Sequence, residues 1–455
     1  MDPRSRATDR YRTGPRRAGP RGLTTGAMTM EDAELIAPAA LSWRKGQPYA
    51  EAFQDIYHDQ DGIGEVERVF LAPAGLPEGL KALKSLRVGE LGFGTALNFA
   101  VLARHCLAAG VRLDFVTVEA APVAPADFFR IAAERETREP LYRELKAAYP
   151  PLLRGWHRRS LASGRITLHA FWGDGATGLK ELEAASVAPM NLWLLDGFAP
   201  DRNPALWADE LLASVGRLSG RGTSVTTFSA AGRVRRALAK AGFKMRRVDQ
   251  RPHKRESLAG IMEAGGEQRP PPALVHVIGA GIAGAATARR LAERGISVIV
   301  SDARIPAAGA SAIPVTVMHP RLHHDGSGSA RLKALAYLHA LGTVAPYLED
   351  AESGLRRAGA LQVPSPNYPI ERLEAVADRY GSTGLALATM GSAEAAAAFA
   401  LVGFTLPERV LHFADACLVD TPRFTRVLLD HPKIELRGDC SEHEWPDAPT
   451  VLACG

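Results

Sequence analysis

The chain has little of what would place it in a special class. Four cysteines, Cys106, Cys417, Cys440 and Cys454, are spread over 455 residues, and no two stand at a C-x-x-C spacing. That excludes a zinc ribbon, a dithiol redox pair and a disulfide framework, and the thiols are read as reduced structural residues. No run of about 18 uncharged apolar residues occurs, and the opening of the chain is rich in Arg and Pro without an apolar centre. Neither a membrane span nor a secretory signal is therefore expected, and the cytoplasm is the expected compartment. Repeats of solenoid period and long low-complexity tracts are also lacking. What is there is ordinary: 46% hydrophobic residues, in a chain long enough for two or three domains.

The net charge of +5 is unevenly placed. Residues 1–27 hold seven Arg and two Asp, which accounts for all of it. This tail has almost no apolar periodicity and is expected to be disordered, or to precede the true start at Met28 or Met30. A denser segment, RVRRALAKAGFKMRRVDQRPHKR at 233–255, carries ten Lys/Arg against Asp249 alone. A solvated helix face is the ordinary reading of such a run. Here Val234, Ala237, Leu238 and Ala241 form an apolar stripe that leaves Arg233, Arg235, Arg236 and Lys240 outward, and the basic residues continue through Lys254 and Arg255. A patch for a polyanion is the other reading.

Two glycine turns organise the chain. AGGEQRPPPA, at 264–273, reads as a linker. Behind it VHVIGAGIAGAATARRLAERG is a strand, a glycine turn and a helix, with Gly279, Gly281 and Gly284 at dinucleotide spacing and Asp302 placed to hold an adenosine ribose. FAD and NAD are both possible occupants of such a turn. Ahead of the linker, SLRVGELGFGTALNFAVLARHCLAAG repeats the strand, turn and helix, and LDFVTVEAAP ends a second strand at Glu119, where a carboxylate can accept from a ribose diol. E-x-G-x-G alone fits a tight structural turn as well as a ligand site. The further strands RITLHAFWGD, MNLWLLDGFAP and GTSVTTFS bring Asp174 and Asp196 to strand ends, the edge at which open α/β sheets bind ligands. An isolated D-G reads as a turn cap, but DGFAPDRNPALW predicts a rigid loop over a site.

LSWRKGQPYAEAFQDIYHDQDGIGEVERVFL, GELGFGTALNFAVL, LLDGFAPDRNPALW, TFSAAGRVRRALAKAGF, HKRESLAG and VIGAGIAGAATARRLAERG, in this order from about Leu41 onward, resemble the family of bifunctional tRNA 5-methylaminomethyl-2-thiouridine biosynthesis proteins, MnmC. The resemblance implies an α/β fold. A Rossmann-like S-adenosylmethionine-dependent methyltransferase domain at 28–263 is followed by an FAD-binding Rossmann domain of the amino-acid-oxidase type at 274–455. It implies removal of the carboxymethyl group from 5-carboxymethylaminomethyl-(2-thio)uridine of tRNA with FAD, then N-methylation of the 5-aminomethyl group with S-adenosylmethionine. Glu90, Gly92, Gly94 and Thr95 are placed around S-adenosylmethionine, Glu119 on its ribose, Asp174 beside its adenine, and Asp196 beside the reactive amine as the catalytic residue. Gly279, Gly281, Gly284 and Asp302 are placed on FAD, which the Gly309–Ser311 GAS also favours over NAD. Arg233, Arg235, Arg236, Lys254 and Arg255 become the tRNA-binding set. Phe198, Trp207 and Phe228 offer either stacking surface for a flipped base or loop core.

Three departures from the family pattern carry expectations. Ala96 replaces a later glycine of the turn, with a modest effect expected because it should face the helix. Ala312, Ile313 and Pro314 replace a flexible Gly-Asn turn, with His319 as an extra residue before Pro320, so flavin contacts there are expected to differ. PTVLACG is a strand entering a glycine turn, so the flavin domain is expected to be incomplete, and the chain to methylate but not to oxidise. Alternatives at this point are a methyltransferase alone, acting on tRNA or a small amine beside a non-functional flavin half, and a non-catalytic tRNA-binding protein. Asp196 at a strand end argues against the latter.

Overall fold

The computed structural model describes residues 35–44, 46–58, 60–253, 255–266, 271–323, 325–381, 383, 385–438 and 447–453. The tail 1–27, Lys254, part of the linker, Cys440 and Cys454 lie outside the described residues.

Three short strands come first, β1 (Leu41–Arg44), β2 (Gln47–Ala50) and β3 (Asp55–Ile56), paired antiparallel in that order. One helical turn, α1 (Gly62–Glu65), is capped by the Asp61 side chain, which accepts from the Gly64 N–H. It runs into a π-helical stretch at Val66–Leu71, where Val66, Val69, Phe70 and Leu71 are buried in the main core. Burial of this apolar edge fastens the whole segment onto the sheet behind it.

That sheet is built from β4 (Ser85–Leu91), α2 (Leu97–Ala108), β5 (Arg112–Glu119), α3 (Pro125–Arg135), α4 (Leu141–Ala148), β6 (Gly155–Leu161), β7 (Ile166–Trp172) and α5 (Gly175–Ala184). It continues through β8 (Met190–Leu195), α6 (Asp209–Arg217), β9 (Ser219–Thr227), α7 (Gly232–Lys240), β10 (Phe243–Asp249) and β11 (Glu256–Met262). The eight strands lie in the order β10-β11-β9-β8-β4-β5-β7-β6. β9, β8, β4, β5 and β7 run parallel, with antiparallel partners at both margins. Parallel strands covered by helices on both faces are nearly continuous apolar runs, as in MNLWLL of β8. Two core clusters fill the two faces, around Phe99 and Phe115 on one and Trp193 on the other. Each such side chain, once fully buried, contributes on the order of 2–3 kcal/mol. From β4 the chain winds outward to β5 on one side and later to β8 on the other, so a crevice opens at the carboxyl ends of these three strands.

The second half begins with β12 (Leu274–Ile278), α8 (Ile282–Glu293) and β13 (Ser297–Ser301), and its parallel sheet has the order β20 (Ile434–Arg437), β13, β12, β21 (Thr450–Leu452). Two three-stranded sheets and their helices follow: β14 (Thr316–Met318), α9 (Gly328–Val344), β15 (Leu355–Arg357), β16 (Ala360–Gln362), α10 (Ile370–Gly381), β17 (Leu387–Gly391), α11 (Ser392–Ala398), β18 (Arg409–Phe413) and β19 (Cys417–Val419). α12 (Thr421–Leu429), β20 (Ile434–Arg437) and β21 (Thr450–Leu452) return to the parallel sheet. The halves touch directly. Leu153 is buried in one cluster with Leu338 and Tyr380, the Leu152 N–H donates to the Thr383 carbonyl at 2.8 Å, and Arg294 pairs with Asp114 at 2.6 Å. Cys106 and Cys417 are buried free thiols, and burial pushes the Cys106 thiol up to about 12. Among the described residues no helix is long and apolar enough to cross a membrane.

Candidate active site

The crevice holds a cavity of about 330 Å³. Gly92 and Gly94 line it from the turn after β4, Glu119 from the end of β5, and Asp196, Gly197 and Phe198 from the turn after β8. Gly92 cannot be replaced without cost. Its φ is +87°, and a Cβ there would stand 3.0 Å from the Asp196 carbonyl oxygen, so the bare backbone is what lets the two turns approach. Thr95 and Asn98 complete the floor, and Phe228 closes one side.

The opposite wall is the segment before the sheet: Asp55, Tyr57, His58, Gly62, Glu65 and Phe70. Nothing in the spacing of these residues marks them as site residues, because they reach the cavity only through packing. Phe53 stacks on Phe198 with ring centroids 4.4 Å apart, and Tyr57 meets the same ring edge-on at 5.3 Å. Arg202 of the DGFAPDRNPALW loop donates to the Phe53 carbonyl at 3.3 Å and also to the Gln54 carbonyl. The loop and the segment therefore clasp one another over the site.

The described lining of the cavity is acidic: Asp55, Glu65, Glu119 and Asp196 border it without Lys or Arg, and the Arg135 guanidinium stands behind it on His58 and Thr95. Asp196 Oδ2 accepts from Asn98 Nδ2 at 2.8 Å, and Oδ1 accepts from the Gly197 N–H at 2.7 Å. Burial, with Glu65 and Glu119 nearby, pushes the Asp196 carboxyl up to about 7 against these bonds, which favour the charged form. Glu119 is also raised by burial; it accepts from the Ala121 N–H at 2.9 Å and the Gly94 N–H at 3.1 Å. A pocket of buried carboxylates stabilises a cation, and one carboxylate poised near neutrality can take a proton from it.

Other expected residues stand elsewhere. Glu90 is buried behind the cavity floor, accepting from Asn98 Nδ2 at 3.1 Å and Thr117 Oγ1 at 2.9 Å, and burial raises it well above the usual carboxylate range. It supports Asn98 and does not line the cavity. Asp174 is exposed and caps α5, accepting from the Thr177 N–H and hydroxyl at 2.9 and 3.0 Å; it too is absent from the lining. Trp207 is buried core that donates to the Phe198 carbonyl at 3.0 Å, whereas Phe198 and Phe228 reach the cavity. Ala96, expected to face the helix, is buried, and it adopts φ +63°, ψ +21°. A Cβ in the left-handed region costs about 1 kcal/mol or more, which is why glycine suits this turn.

The second turn keeps its fingerprint geometry. Gly279 has φ +109°, and a Cβ on Gly284 would stand 1.8 Å from the Gly279 carbonyl oxygen, so α8 packs against the turn only with glycine there. Asp302 accepts from the Ala280 N–H at 2.8 Å, closing the turn onto the end of β13. Ser311 of the GAS sits at the start of α8 and accepts from the Ile282 N–H at 2.9 Å; a Cβ on Gly281 would stand 3.1 Å from its Oγ. The Ala280 and Ile282 N–H groups at this helix N-terminus thus donate to Asp302 and Ser311; a glycine turn leading into a helix N-terminus is the arrangement that suits a dinucleotide pyrophosphate. Ile313 is exposed, and His319 stacks obliquely on Phe413 at 5.9 Å.

On the basic segment, Val234 and Leu238 are the buried side of α7, and Arg233, Arg235, Arg236 and Lys240 face outward. Arg233 pairs with Asp201 at 3.3 Å, Arg247 with Glu256 at 3.0 Å, and Arg251 with Asp249 at 2.6 Å. Arg246 donates to the Pro73 carbonyl at 2.8 Å. Arg233, Arg246, Arg247 and Arg251 thus have partners within the chain, while Arg235, Arg236 and Arg255 remain on the surface.

Comparison with known proteins finds a likeness in each half of the chain. A family model described as S-adenosyl-L-methionine-dependent methyltransferase matches residues 136–263, and one described as FAD dependent oxidoreductase matches residues 275–434. The tRNA 5-methylaminomethyl-2-thiouridine biosynthesis bifunctional protein MnmC of Chromobacterium violaceum is 36% identical over 421 residues, covering 88% of this chain and 62% of that one. That of Thiobacillus denitrificans is 40% identical over 315 residues, with 67% and 50% covered. That of Marinobacter nauticus is 34% identical over 413 residues, with 88% and 64% covered. The crystal structure of MNMC2 from Aquifex aeolicus aligns at 20% identity with a TM-score of 0.40, over 51% of this chain and 73% of that one, too loosely to carry an argument. The chain spans between half and two thirds of the length of these curated relatives. The methyltransferase match precedes the flavin match in one chain, and in that joined order the chain is similar to the bifunctional MnmC proteins.

Proposed function

We propose that this chain modifies the wobble uridine of tRNA in the cytoplasm. With both domain likenesses in the chain, and in place of the expected methylation alone, a domain at 274–455 removes the carboxymethyl group of 5-carboxymethylaminomethyl-(2-thio)uridine, and a domain at 28–263 methylates the 5-aminomethyl group that results. The observation that carries the reading is Asp196, poised near neutrality in a cavity at the ends of β4, β5 and β8 that Asp55, Glu65 and Glu119 also line. Gly92, Gly94, Thr95 and Glu119 would hold S-adenosylmethionine, which supplies an activated methyl group on a cationic sulfur. The turn of Gly279, Gly281 and Gly284, with Asp302, would hold FAD, which takes up the electrons of C–N oxidation.

The work of the residues follows from charge. An alkyl ammonium, with a reference pKa of about 10, has no lone pair to offer. Asp55, Glu65 and Glu119 favour its entry as a cation, and Asp196 takes the proton that must leave before the nitrogen can accept a methyl group. Phe53 and Tyr57, clasped on Phe198, exclude water from this exchange. Outside the cavity, Arg235, Arg236 and Arg255 supply phosphate contacts to tRNA. Nucleoside analysis of tRNA from a strain lacking the protein, with and without the gene restored, tests the proposal. The 5-methylaminomethyl nucleoside should be lost and regained; an unchanged tRNA profile refutes it.

A further inference from the structure

Asn98 stands at the start of α2, buried to 4% exposure, and its side-chain amide faces two carboxylates at once. One N–H donates to Glu90 Oε1 at 3.1 Å and the other to Asp196 Oδ2 at 2.8 Å. Both hydrogens of the amide are then used. Glu90 is itself held from behind by the Thr117 hydroxyl at 2.9 Å. Thr117 on β5, Glu90 on β4, Asn98 on α2 and Asp196 after β8 thus form one hydrogen-bonded chain across three strands of the sheet.

We propose that Asn98 is a positioning residue for methyl transfer: anchored on Glu90, it holds the Asp196 carboxylate in the single orientation from which it can accept the amine proton. The proposal rests on the methyltransferase reading above. With Oδ1 tied to the Gly197 N–H and Oδ2 to Asn98, the carboxylate cannot rotate, and its remaining lone pairs are directed by these two donors. The same hydrogen bond favours the charged form of Asp196. It acts against burial and against Glu65 from α1, Glu90 from β4 and Glu119 from β5, with Tyr57 and His58 also bordering the cavity. Glu90, a motif residue that does not reach the cavity, acquires a task here: without its acceptor, Asn98 has no reason to hold its amide in this plane.

The test uses the full chain. Asn98→Ala should bind S-adenosylmethionine within about threefold of wild type in calorimetry but lose roughly 10- to 100-fold in turnover on 5-aminomethyluridine tRNA. Its rise of activity with pH should move to higher pH. In an Asp196→Asn background the same substitution should cost less than about threefold, because the group it positions is gone. A full additive loss in that background, or an unmoved pH profile, overturns the proposal. If Asn98→Ala melts at the assay temperature, Asn98→Ser serves the same comparisons. Carbon-13 NMR titration of side-chain carboxyls, with Asp196 assigned by its Asn variant, reads the effect without any reaction. The Asp196 midpoint should lie near 7 in wild type and rise in the Asn98 variant. An unmoved midpoint defeats the proposal whatever the activity; a moved midpoint in a chain that never methylates tRNA defeats the functional reading alone.

Discussion

Replacing Asp196 by Asn should separate what the site needs from what the fold prefers. The folded carboxyl titrates at about 7, against an ordinary value of 3.8. At 1.36 kcal/mol per pKa unit, ionising it inside the fold costs at most about 4 kcal/mol. The sign follows from linkage. Below about pH 3.8 both folded and unfolded chains hold the proton, and stability is at its fullest; between 3.8 and 7 only the unfolded chain releases it, and stability falls; above 7 the loss levels off. The substituted amide carries no proton to lose, so its contribution is flat with pH. It cannot accept from both Asn98 and the Gly197 N–H, a pH-independent cost of about 1 kcal/mol. Between about pH 5.5 and 8.5, therefore, the stability of wild type relative to the variant should fall by roughly 2 kcal/mol. Urea unfolding at these two pH values measures it, followed by Trp fluorescence, since five of the six Trp lie between Trp43 and Trp207. In parallel, calorimetry should find S-adenosylmethionine binding retained, while methyl transfer falls about 100- to 10,000-fold. Parallel stability curves would falsify the buried-acid argument, and undiminished turnover would remove Asp196 from the mechanism.

Ala96→Gly should raise the unfolding free energy by about 0.5–1 kcal/mol, because a residue at φ +63° loses its strained Cβ; a drop in melting temperature would mean that the strain is absent. Wild type should gain methyl-transfer activity with pH through about 7 and then reach a plateau, as Asp196 becomes available as a base; a profile that is flat from pH 5 to 9 counts against it. Reversing Arg235, Arg236 and Arg255 should weaken tRNA binding and lower its salt dependence by roughly 0.7–0.9 log units for each phosphate no longer neutralised, whereas deleting residues 1–27 should change little; filter binding with the opposite ranking rejects the assignment. Gly284→Val should abolish any FAD affinity measurable by fluorescence titration, since a Cβ would stand 1.8 Å from the Gly279 carbonyl oxygen; unimpaired binding would show that the turn is not the dinucleotide site.

Much of this arrangement was legible in the residues because it is local. A strand, a glycine turn and a helix are written within about 25 residues, and the ends of β4, β5 and β8 carry Gly92, Glu119 and Asp196 wherever the strands finally pair. The same holds for Gly279, Gly284 and Asp302, and for the Val234 and Leu238 stripe of α7. What failed to show was non-local. Tyr57, His58 and Glu65 reach the cavity because Phe53 and Tyr57 pack on Phe198, more than 140 residues away in sequence. Asn98 and Asp196 are separated by 98 residues, yet hydrogen-bonded. Asp174 sits at a strand end as expected, and only the capping geometry of α5 shows its carboxylate turned to Thr177.

By itself the sequence determined two glycine turns, the strands that lead into them, the acids at the strand ends and the outward basic face of α7, because each depends on neighbours along the chain. Tertiary structure alone decided which acids share a cavity, that Glu90 lies behind it, that Ala96 is left-handed, and that Asp196 titrates near neutrality. Those are properties of burial and of contacts between distant strands. A carboxylate's proton affinity is set by the water it loses and the charges it meets, and both are fixed only when the sheet closes.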